Sequence, residues 1–181
     1  AAKHAKMDSQ GKVTDIIHCA GHSAPLMEIL YASGERVISL APEMIKVGDN
    51  VGVGAESEIV KGNVLPLHSI PEGTLIHNIE LRPGDGGKLV RSSGTFARVV
   101  ARNDKGVRII LPSKKEKQFH PNCRAAIGVL AGSGRKDKPF LKAGTRFKKM
   151  KAKGKQYPKV CGISMNAVDH PFGGGCSHIK G

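Results

Sequence analysis

The sequence predicts a mainly β protein, built from small barrels or sandwiches and followed by a basic C-terminal tail. Short apolar segments alternate with turns rich in Gly, Pro, Asn and Asp, and 23 of the 181 residues are Gly. No segment before residue 135 shows the long 3.6-residue apolar period of an amphipathic helix. Residues 135–159 hold eleven Lys and Arg but one acid, Asp137, and so carry +10 of the net charge of +14.

The first set of strands occupies the N-terminal third of the chain. We predict strands at Val13–Cys19, Leu26–Tyr31, Arg36–Leu40 and Asn50–Val53. The turn Ala32–Glu35 contains Gly34 and joins two of them as a hairpin. Gly62–Pro66 interrupts the pattern, with Pro71 close behind, and this indicates a domain boundary near residue 66.

The second set of strands follows this boundary. We predict strands at Thr74–Leu81, Lys88–Arg91, Phe96–Arg102, Val107–Leu111, Lys117–His120 and Arg124–Leu130. The tight turn Asn103–Gly106 links two of them, with Gly106 at the position that requires a positive φ. In the third of these strands we expect Phe96 and Val100 to point inward and the arginines to point outward.

The basic stretch at 135–159 predicts binding to an external anion. Burying unpaired ammonium groups is prohibitive, and the lysines at 148, 149, 151, 153 and 155 have no acid within reach along the segment. A nucleic-acid backbone is the best candidate, although charge alone does not separate RNA from DNA. A membrane is the weaker interpretation, since no apolar run approaches the roughly 18 residues that span a bilayer.

The C-terminal segment has too few apolar side chains to form a core of its own. From Gly132 onward the strand pattern fails, and residues 160–181 are rich in Gly. Such a segment cannot offset the entropy lost on ordering, so we expect it to order only against a partner.

The loop Pro83–Lys88 resembles a phosphate-binding loop in composition but lacks the spacing of a nucleotide site. Two interpretations remain open. Either its backbone N–H groups and Lys88 face a phosphate oxygen of a nucleic acid, or the loop is a plain hairpin turn.

Cysteines and histidines near the C-terminus raise the alternative of an enzyme, a hydrolase or transferase with His170 as base and Cys161 or Cys176 as nucleophile. We disfavour it, because adjacent Asp169 and His170 side chains seldom orient as a triad requires. Cys161, Cys176 and His178 lack the paired spacing of a zinc site, as do His18, Cys19 and His22 in their own segment. We therefore predict no catalytic residue, no metal and no cofactor. The separated cysteines indicate a reduced, cytoplasmic protein.

Collinear strings of residues along nearly the whole chain resemble the universal large-subunit ribosomal protein two family, in its archaeal or eukaryotic form. The matching strings are Ser23–Pro25, Leu40–Glu43, Gly62–Leu67, Ile70–Thr74, Asn78–Glu80, Pro83–Gly87, Cys123–Ala125, Ile127–Val129, Asp137–Pro139, Lys142–Gly144, Lys149–Lys153 and Met165–Gly175. Cys161 and Cys176 lie where many members have Arg or another residue.

The resemblance implies an oligonucleotide-binding (OB) barrel at residues 1–66, an SH3-like barrel at 67–134 and an extended rRNA-binding tail at 135–181. Family members have a longer basic N-terminal arm, so we expect the first barrel to lack its opening strands. The function implied is that of a structural, non-enzymatic constituent of the large ribosomal subunit, while RNA forms the peptide bond. The alternative is a free-standing basic nucleic-acid-binding module of the translation-factor type.

The resemblance also implies the residues of the interface. The rRNA-binding residues are Lys88, Arg91, Arg135, Lys136, Lys138, Lys142, Arg146, Lys148, Lys149, Lys151, Lys153, Lys155 and Lys159. The loop near the peptidyl-transferase centre comprises Asn166, Asp169, His170, Pro171, Gly173, Gly174 and Gly175. The expected partners are large-subunit rRNA and other large-subunit proteins, with no membrane and no small-molecule substrate.

Overall fold

The computed structural model describes residues 4–5, 9–103 and 106–175. The chain forms two compact units, residues 1–136 and 137–181. The first unit is mainly β. Its strands are β1 (Ser9–Ile17), β2 (Leu26–Tyr31), β3 (Arg36–Leu40), β4 (Asn50–Val53), β5 (Val64–Pro66), β6 (Leu75–His77), β7 (Ala97–Asn103), β8 (Gly106–Ile110), β9 (Glu116–Phe119) and β10 (Arg124–Ile127).

Within the described residues these strands form one continuous sheet. Their order is β3-β2-β1-β4-β5-β10-β6-β7-β8-β9. Neighbours pair antiparallel except β4 and β5, which meet in parallel at Val53 and Val64. Strand β10 returns from far along the sequence to lie between β5 and β6. The last strand of the second half of the chain therefore joins the two halves of the sheet, because it pairs with β5 of the first half.

Strands β5 and β10 separate two apolar clusters. Val64 and Ala126 belong to a cluster with Met27 and Ile29, whereas their chain neighbours Leu65 and Ala125 belong to the other. Successive side chains of a strand point to opposite faces, so β5 and β10 contribute side chains to both clusters and form a wall that the two share. Each fully buried Leu or Ile contributes roughly 1.5–3 kcal/mol.

Three predicted strands have the observed bounds, Leu26–Tyr31, Arg36–Leu40 and Asn50–Val53. The hairpin between β2 and β3 is confirmed, with Gly34 at a φ of 80°. The turn between β7 and β8 is confirmed in its pairing, and Gly106 has a φ of 148°. Asp104 and Lys105 of that turn lie outside the described residues.

Two predicted strands are too long and a third does not form, because the chain turns within them. Arg124–Leu130 is reduced to Arg124–Ile127, since Gly128 has a φ of 107°. Thr74–Leu81 is reduced to Leu75–His77, since Asn78 has a φ of 50°. Lys88–Arg91 is not a strand, since Val90 has a φ of 54°, and only Leu89 forms a bridge, to Ile79. Extended strands have a negative φ, so a positive φ ends them.

The interruption predicted at Gly62–Pro66 is wrong for its last three residues. Val64–Pro66 is β5, and Leu65 pairs with Ala125 in the middle of the sheet. Pro66 is the last residue of the strand, where the missing N–H does not break the ladder.

The predicted facing of Phe96 is also wrong. Ala97 and Val99 are buried, whereas Phe96 is 43% exposed and the Arg98 side chain is exposed. Residues two apart on a strand share a face, so Phe96 lies on the side of Arg98. Val100 is only partly buried, and the ladder shifts between Val99 and Ala101.

A buried histidine makes the stability of the first unit depend on pH. His77 is fully buried, and its Nδ1 donates to the carbonyl of Gly128 at 3.0 Å. Burial lowers the pKa of His77 to about 4, against about 6.5 in an unfolded chain. Between these values the unfolded state binds a proton that the folded state does not. Neutral, buried His77 therefore contributes fully to the unfolding free energy above pH 6.5. As the pH falls towards 4, the unfolding free energy decreases by about 3 kcal/mol.

We expect His77→Asn to reduce the pH dependence of the unfolding free energy between pH 6.5 and 4. The Asn Nδ2 occupies the place of Nδ1 and keeps the bond to Gly128, but it does not titrate. Denaturant unfolding at pH 7, 5.5 and 4.5 measures the effect. His68→Asn, at an exposed site, is the matched control and should leave the dependence unchanged. Equal pH dependence in wild type and His77→Asn would contradict the assignment.

The second unit contains α1 (Ala143–Ala152) and a single 3-10 turn at Gly162–Ser164 within its described part. The expectation of an extended tail is therefore wrong for residues 143–152. Ala, Arg, Lys and Met favour a helix, and this local preference outweighs the repulsion of like charges. In the part of the chain that the structure describes, α1 is the longest helix, and none is long and apolar enough to span a bilayer.

Candidate nucleic-acid interface

Helix α1 carries the centre of the basic stretch and buries none of its residues. Gly154, with a φ of 64°, ends the helix. Its N–H bonds to the carbonyl of Lys151 at 3.0 Å, and the N–H of Lys155 bonds to that of Met150 at 3.0 Å. This is the Schellman arrangement, in which a Gly in the left-handed conformation satisfies the last carbonyls. Lys149 and Lys151 lie in the last turn, where the helix dipole favours cations.

One face of α1 is held by aromatic rings. The guanidinium of Arg146 lies 5.0 Å from the centre of the Tyr157 ring, and the ammonium of Lys149 lies 4.5 Å from that of Phe140. Each cation–π contact contributes about 0.5–1 kcal/mol at an exposed site. Lys148 and Lys151 project from the opposite side of the helix and are exposed. The helix thus has two cations in contact with aromatic rings on one side and two exposed cations on the other.

The predicted rRNA-binding side chains are exposed, except for two that are half-buried, Arg91 and Lys149. The exposed ones are Lys88, Arg135, Lys136, Lys138, Lys142, Arg146, Lys148, Lys151, Lys153, Lys155 and Lys159. Within the described residues, none of the eleven cations at 135–159 forms an ion pair with an acid. The charge of this stretch is therefore not neutralised inside the described part of the chain.

The loop at 83–88 does not offer its N–H groups to an external phosphate. The N–H groups of Gly84 and Gly86 donate to the Glu80 carboxylate at 3.1 and 3.0 Å, and that of Gly87 donates to Asp85 at 3.2 Å. Of the two interpretations, a backbone cradle for phosphate is wrong, because internal carboxylates already occupy it. The Lys88 side chain remains exposed.

Arg91 is fixed by the same loop. Its Nη1 donates to the carbonyl of Gly87 at 2.7 Å. Gly87 has a φ of 90°, and a Cβ there would lie 2.8 Å from the carbonyl oxygen of Asn78. The loop is therefore closely packed and holds Arg91 in a defined orientation.

Glu80 is the centre of this arrangement, and sequence reasoning did not identify it. Its carboxylate is fully buried and forms an ion pair with Arg124 at 3.0 Å, while Arg124 also donates from its backbone N–H at 2.9 Å. Burial would raise the pKa of Glu80, but the hydrogen bonds from Arg124, Gly86 and Gly84 outweigh it, so the pKa is lowered. Arg124 Nη1 also donates to the carbonyl of Ala5 at 2.7 Å. No local pattern in the sequence marks Glu80, because its partner Arg124 is 44 residues away.

The loop at 161–175 has an ordered internal structure. The N–H of Gly173 bonds to the carbonyl of His170 at 2.9 Å, and that of Gly174 bonds to Met165 at 3.2 Å. A Cβ on Gly173 would overlap the carbonyl of Asn166, and one on Gly162 would overlap the His170 ring. The glycine at 173 therefore serves close approach within the loop, and Gly162, which was not predicted, serves the same purpose.

The His170 ring is oriented by its own loop. Its Nδ1 accepts the N–H of Phe172 at 3.1 Å, and the two rings lie 4.9 Å apart at 59°. Because a backbone N–H can only donate, neutral His170 carries its proton on Nε2. A catalytic triad would use Nδ1 for the orienting carboxylate, so this contact argues against the enzyme alternative.

The other candidate ligands do not assemble into a metal site in the described part of the chain. No group of three or more His, Cys, Asp or Glu side chains there could hold a metal ion. His22 Nδ1 and Cys19 Sγ lie 3.2 Å apart as a pair, and Cys161 is exposed. Cys176 and His178 lie outside the described residues.

Comparisons with known proteins give a consistent result. A family model described as Ribosomal Proteins L2, C-terminal domain, matches residues 60–181. The chain is similar to large ribosomal subunit protein uL2 of Methanocaldococcus jannaschii, with 51% identity over 165 residues that cover 91% of this chain and 68% of the relative. It is similar to uL2 of Archaeoglobus fulgidus, with 52% identity over 164 residues that cover 91% of this chain and 69% of the relative. It is also similar to uL2 of Methanosphaera stadtmanae, with 50% identity over 174 residues that cover 94% of this chain and 72% of the relative.

Proposed function

Because the chain belongs to the ribosomal protein L2 family and is of the archaeal type, we propose that it binds large-subunit rRNA mainly through its basic stretch at residues 135–159. Membership makes it a structural constituent of the large ribosomal subunit, acting in translation on the ribosome. One observation carries the rRNA proposal. The eleven cations at 135–159 have no internal acid partner among the described residues, and α1 buries no side chain. Folded RNA supplies the phosphates that neutralise them.

The interface in this proposal comprises the thirteen basic residues predicted from the sequence, from Lys88 to Lys159. Lys88 and Arg91 extend from the ordered loop of the first unit. The remaining eleven lie along the basic stretch, where aromatic contacts orient Arg146 and Lys149. Other large-subunit proteins are the further partners.

The loop at 166–175 lies near the peptidyl-transferase centre in this proposal. The residues concerned are Asn166, Asp169, His170, Pro171, Gly173, Gly174 and Gly175. The ordered loop presents the Nε2–H of His170 as a donor, while Nδ1 is engaged by Phe172. RNA carries out peptide-bond formation, and the protein supports assembly, tRNA binding and the geometry of that RNA.

The first unit comprises an OB barrel up to residue 66 and an SH3-like barrel over 67–134 in this proposal, with the rRNA-binding tail from 135. Two apolar clusters on either side of β5 and β10 support two barrels that share a wall. The cytoplasm is the proposed location of the ribosome that contains it.

Co-sedimentation tests the proposed function. The full chain should remain with large ribosomal subunits after a high-salt wash and should prefer rRNA fragments to duplex DNA of equal length. A protein that washes off, or that binds both nucleic acids equally, would contradict a specific ribosomal role.

We expect the affinity for rRNA to depend steeply on salt. If about eight to ten phosphates are engaged, the log–log slope is roughly −7 to −9 in the double-strand limit. Replacing Lys148, Lys149 and Lys151 by Gln should flatten the slope by roughly two to three. Filter binding at several salt concentrations measures it.

The matched control replaces three exposed lysines of the first unit, Lys12, Lys46 and Lys61, by Gln. It removes the same charge from outside the basic stretch and should change the slope by less than about one. An equal effect of both triple variants would show a nonspecific response to net charge and would contradict the assigned interface.

A further inference from the structure

A groove of about 300 Å³ on the first unit shares only Lys136 with the interface described above. It lies where β7 begins and β8 ends. The side chains that matter are Phe96, Arg98, Ile110, Leu111, Lys114 and Lys136. The volume is at the small end of the range for ligand sites, so the groove has room for one flat ring with its attached groups.

The floor of the groove is an aromatic ring on an apolar base. Phe96 is 43% exposed, although a ring of this size normally lies in a core. Arg98 pairs with Ile110 across the two strands, so Ile110 lies beside Phe96 on the outward face of the sheet. The sheet presents an aromatic face to solvent where strand alternation would allow a polar residue.

The rim of the groove is cationic. Arg98, Lys114 and Lys136 line it, and no acid does. The nearest acid in register is Glu116 opposite Ile110, and its carboxylate lies 3.9 Å from the guanidinium of Arg108. The charge of the rim is complementary to an anion.

The backbone at one of these cations, Lys114, is fixed by a tight turn. Lys114 has a φ of 64°, unusual for a side chain of this size, in a turn closed by its N–H to the carbonyl of Leu111 at 2.8 Å. Arg135 Nε donates to Ser93 at 3.0 Å, next to Lys136. The position of Lys114 on the rim is therefore set by the turn, and Lys136 follows directly after the anchored Arg135.

We propose that this groove binds one unpaired nucleobase of the rRNA, stacked on Phe96, with its flanking phosphates held by Arg98, Lys114 and Lys136. The proposal rests on the rRNA-binding function proposed above. A paired base exposes only its edges, so an aromatic side chain can stack only on a base that has left its helix. An acidic peptide would satisfy the cations without needing the face of the ring, and therefore fits the site less well.

The chain contains no Trp and two Tyr, so Phe96→Trp places a single tryptophan in the groove, and its fluorescence can be excited selectively over that of the tyrosines. The probe is a pair of RNA hairpins that differ only in one unpaired adenosine. We expect the hairpin with the unpaired base to quench the fluorescence of full-length Phe96→Trp and the fully paired one to leave it nearly unchanged. Ile38→Trp is the matched control, because Ile38 is 40% exposed on the edge strand β3. Equal quenching of both variants would overturn the proposal.

Affinity gives the second measurement. Phe96→Ala should weaken binding to the hairpin with the unpaired base by about 5- to 150-fold, the range for loss of one stacked base. Phe96→Leu keeps apolar bulk without the aromatic face and should lose most of the same affinity. Both variants should bind the fully paired hairpin with an affinity within about twofold of that of the wild type.

The two proposals fail in different ways. If the Lys148, Lys149 and Lys151 variant changes the salt slope while the Phe96 variants bind both hairpins as wild type does, the groove is not a base site and the rRNA interface stands. If neither set changes RNA binding, the proposed function fails as well. Quenching of Phe96→Trp by large-subunit proteins but not by RNA would overturn the base site in favour of a protein partner.

Discussion

Glu80→Leu is expected to destabilise the first unit by about 3–5 kcal/mol, the largest effect of any single substitution considered. The buried carboxylate accepts from the Arg124 side chain and from the N–H groups of Gly84, Gly86 and Arg124. Its removal leaves the half-buried guanidinium without its partner and the N–H groups without acceptors. Denaturant unfolding at pH 7 measures the loss.

A double-mutant cycle separates the ion pair from the backbone bonds. Adding Arg124→Met removes the uncompensated charge and should recover part of the stability. It should not recover all of it, because Gly84 and Gly86 still lack their acceptor. Full recovery by the double variant would show that the loop bonds contribute nothing.

The exposed pair Arg108–Glu116 is the control for Glu80. Its atoms lie 3.9 Å apart, with about half of each side chain exposed, so Glu116→Gln should change the unfolding free energy by less than about 1 kcal/mol.

The contributions of Glu80 and His77 to stability depend on pH in different ranges. The Glu80 stabilisation is present above the ordinary carboxyl pKa and is lost as the pH falls through its lowered folded value, whereas that of His77 is lost from about pH 6.5 towards 4.

The strands that could be predicted are those specified by local pattern. Leu26–Tyr31 and Arg36–Leu40 flank a turn with Gly34, and both the alternation and the turn are visible in the sequence. Strand β5 could not be predicted in this way. Its three residues lie among turn-forming neighbours and are held by pairing with β10, about sixty residues later.

The basic stretch illustrates a different limit. Composition predicted an unneutralised cation, and the described residues supply no acid partner for it. The helix within it was missed because the charge suggested an extended chain, although Gly154 after a run of helix formers was a visible stop signal.

The contacts that organise the candidate site are nonlocal. Glu80 and Arg124 are 44 residues apart, and each alone resembles an ordinary surface residue. Asn166 to Gly175 could be assigned only by resemblance to a family, because their spacing specifies no chemistry. Their role at the peptidyl-transferase centre is still a prediction.

Gly173→Ala is expected to lower incorporation into large subunits by roughly 10- to 100-fold in competition with wild type. A Cβ at this position would overlap the carbonyl of Asn166 and lie 2.6 Å from that of Met165. Both obstacles are backbone, so no side chain can move aside, and the loop must lose the bonds that Gly173 and Gly174 donate. Such overpacking costs about 1–3 kcal/mol. Reconstitution with equal amounts of the two proteins, followed by mass spectrometry of the particles, measures the ratio.

Two further glycines of the second unit make the result specific. The three atoms nearest to a Cβ on Gly162 all belong to the His170 ring, which can rotate at the loss of its bond from Phe172, so we expect a smaller deficit. Gly144→Ala meets nothing within 4 Å and lies inside α1, where Ala is favoured over Gly by up to about 1 kcal/mol, so incorporation should be unchanged or improved. The expected loss of incorporation therefore decreases from Gly173→Ala to Gly162→Ala to Gly144→Ala, because the Cβ meets backbone at the first, a side chain at the second and open space at the third. Equal incorporation of all three variants would mean that the conformation of this loop does not matter for binding to the ribosome.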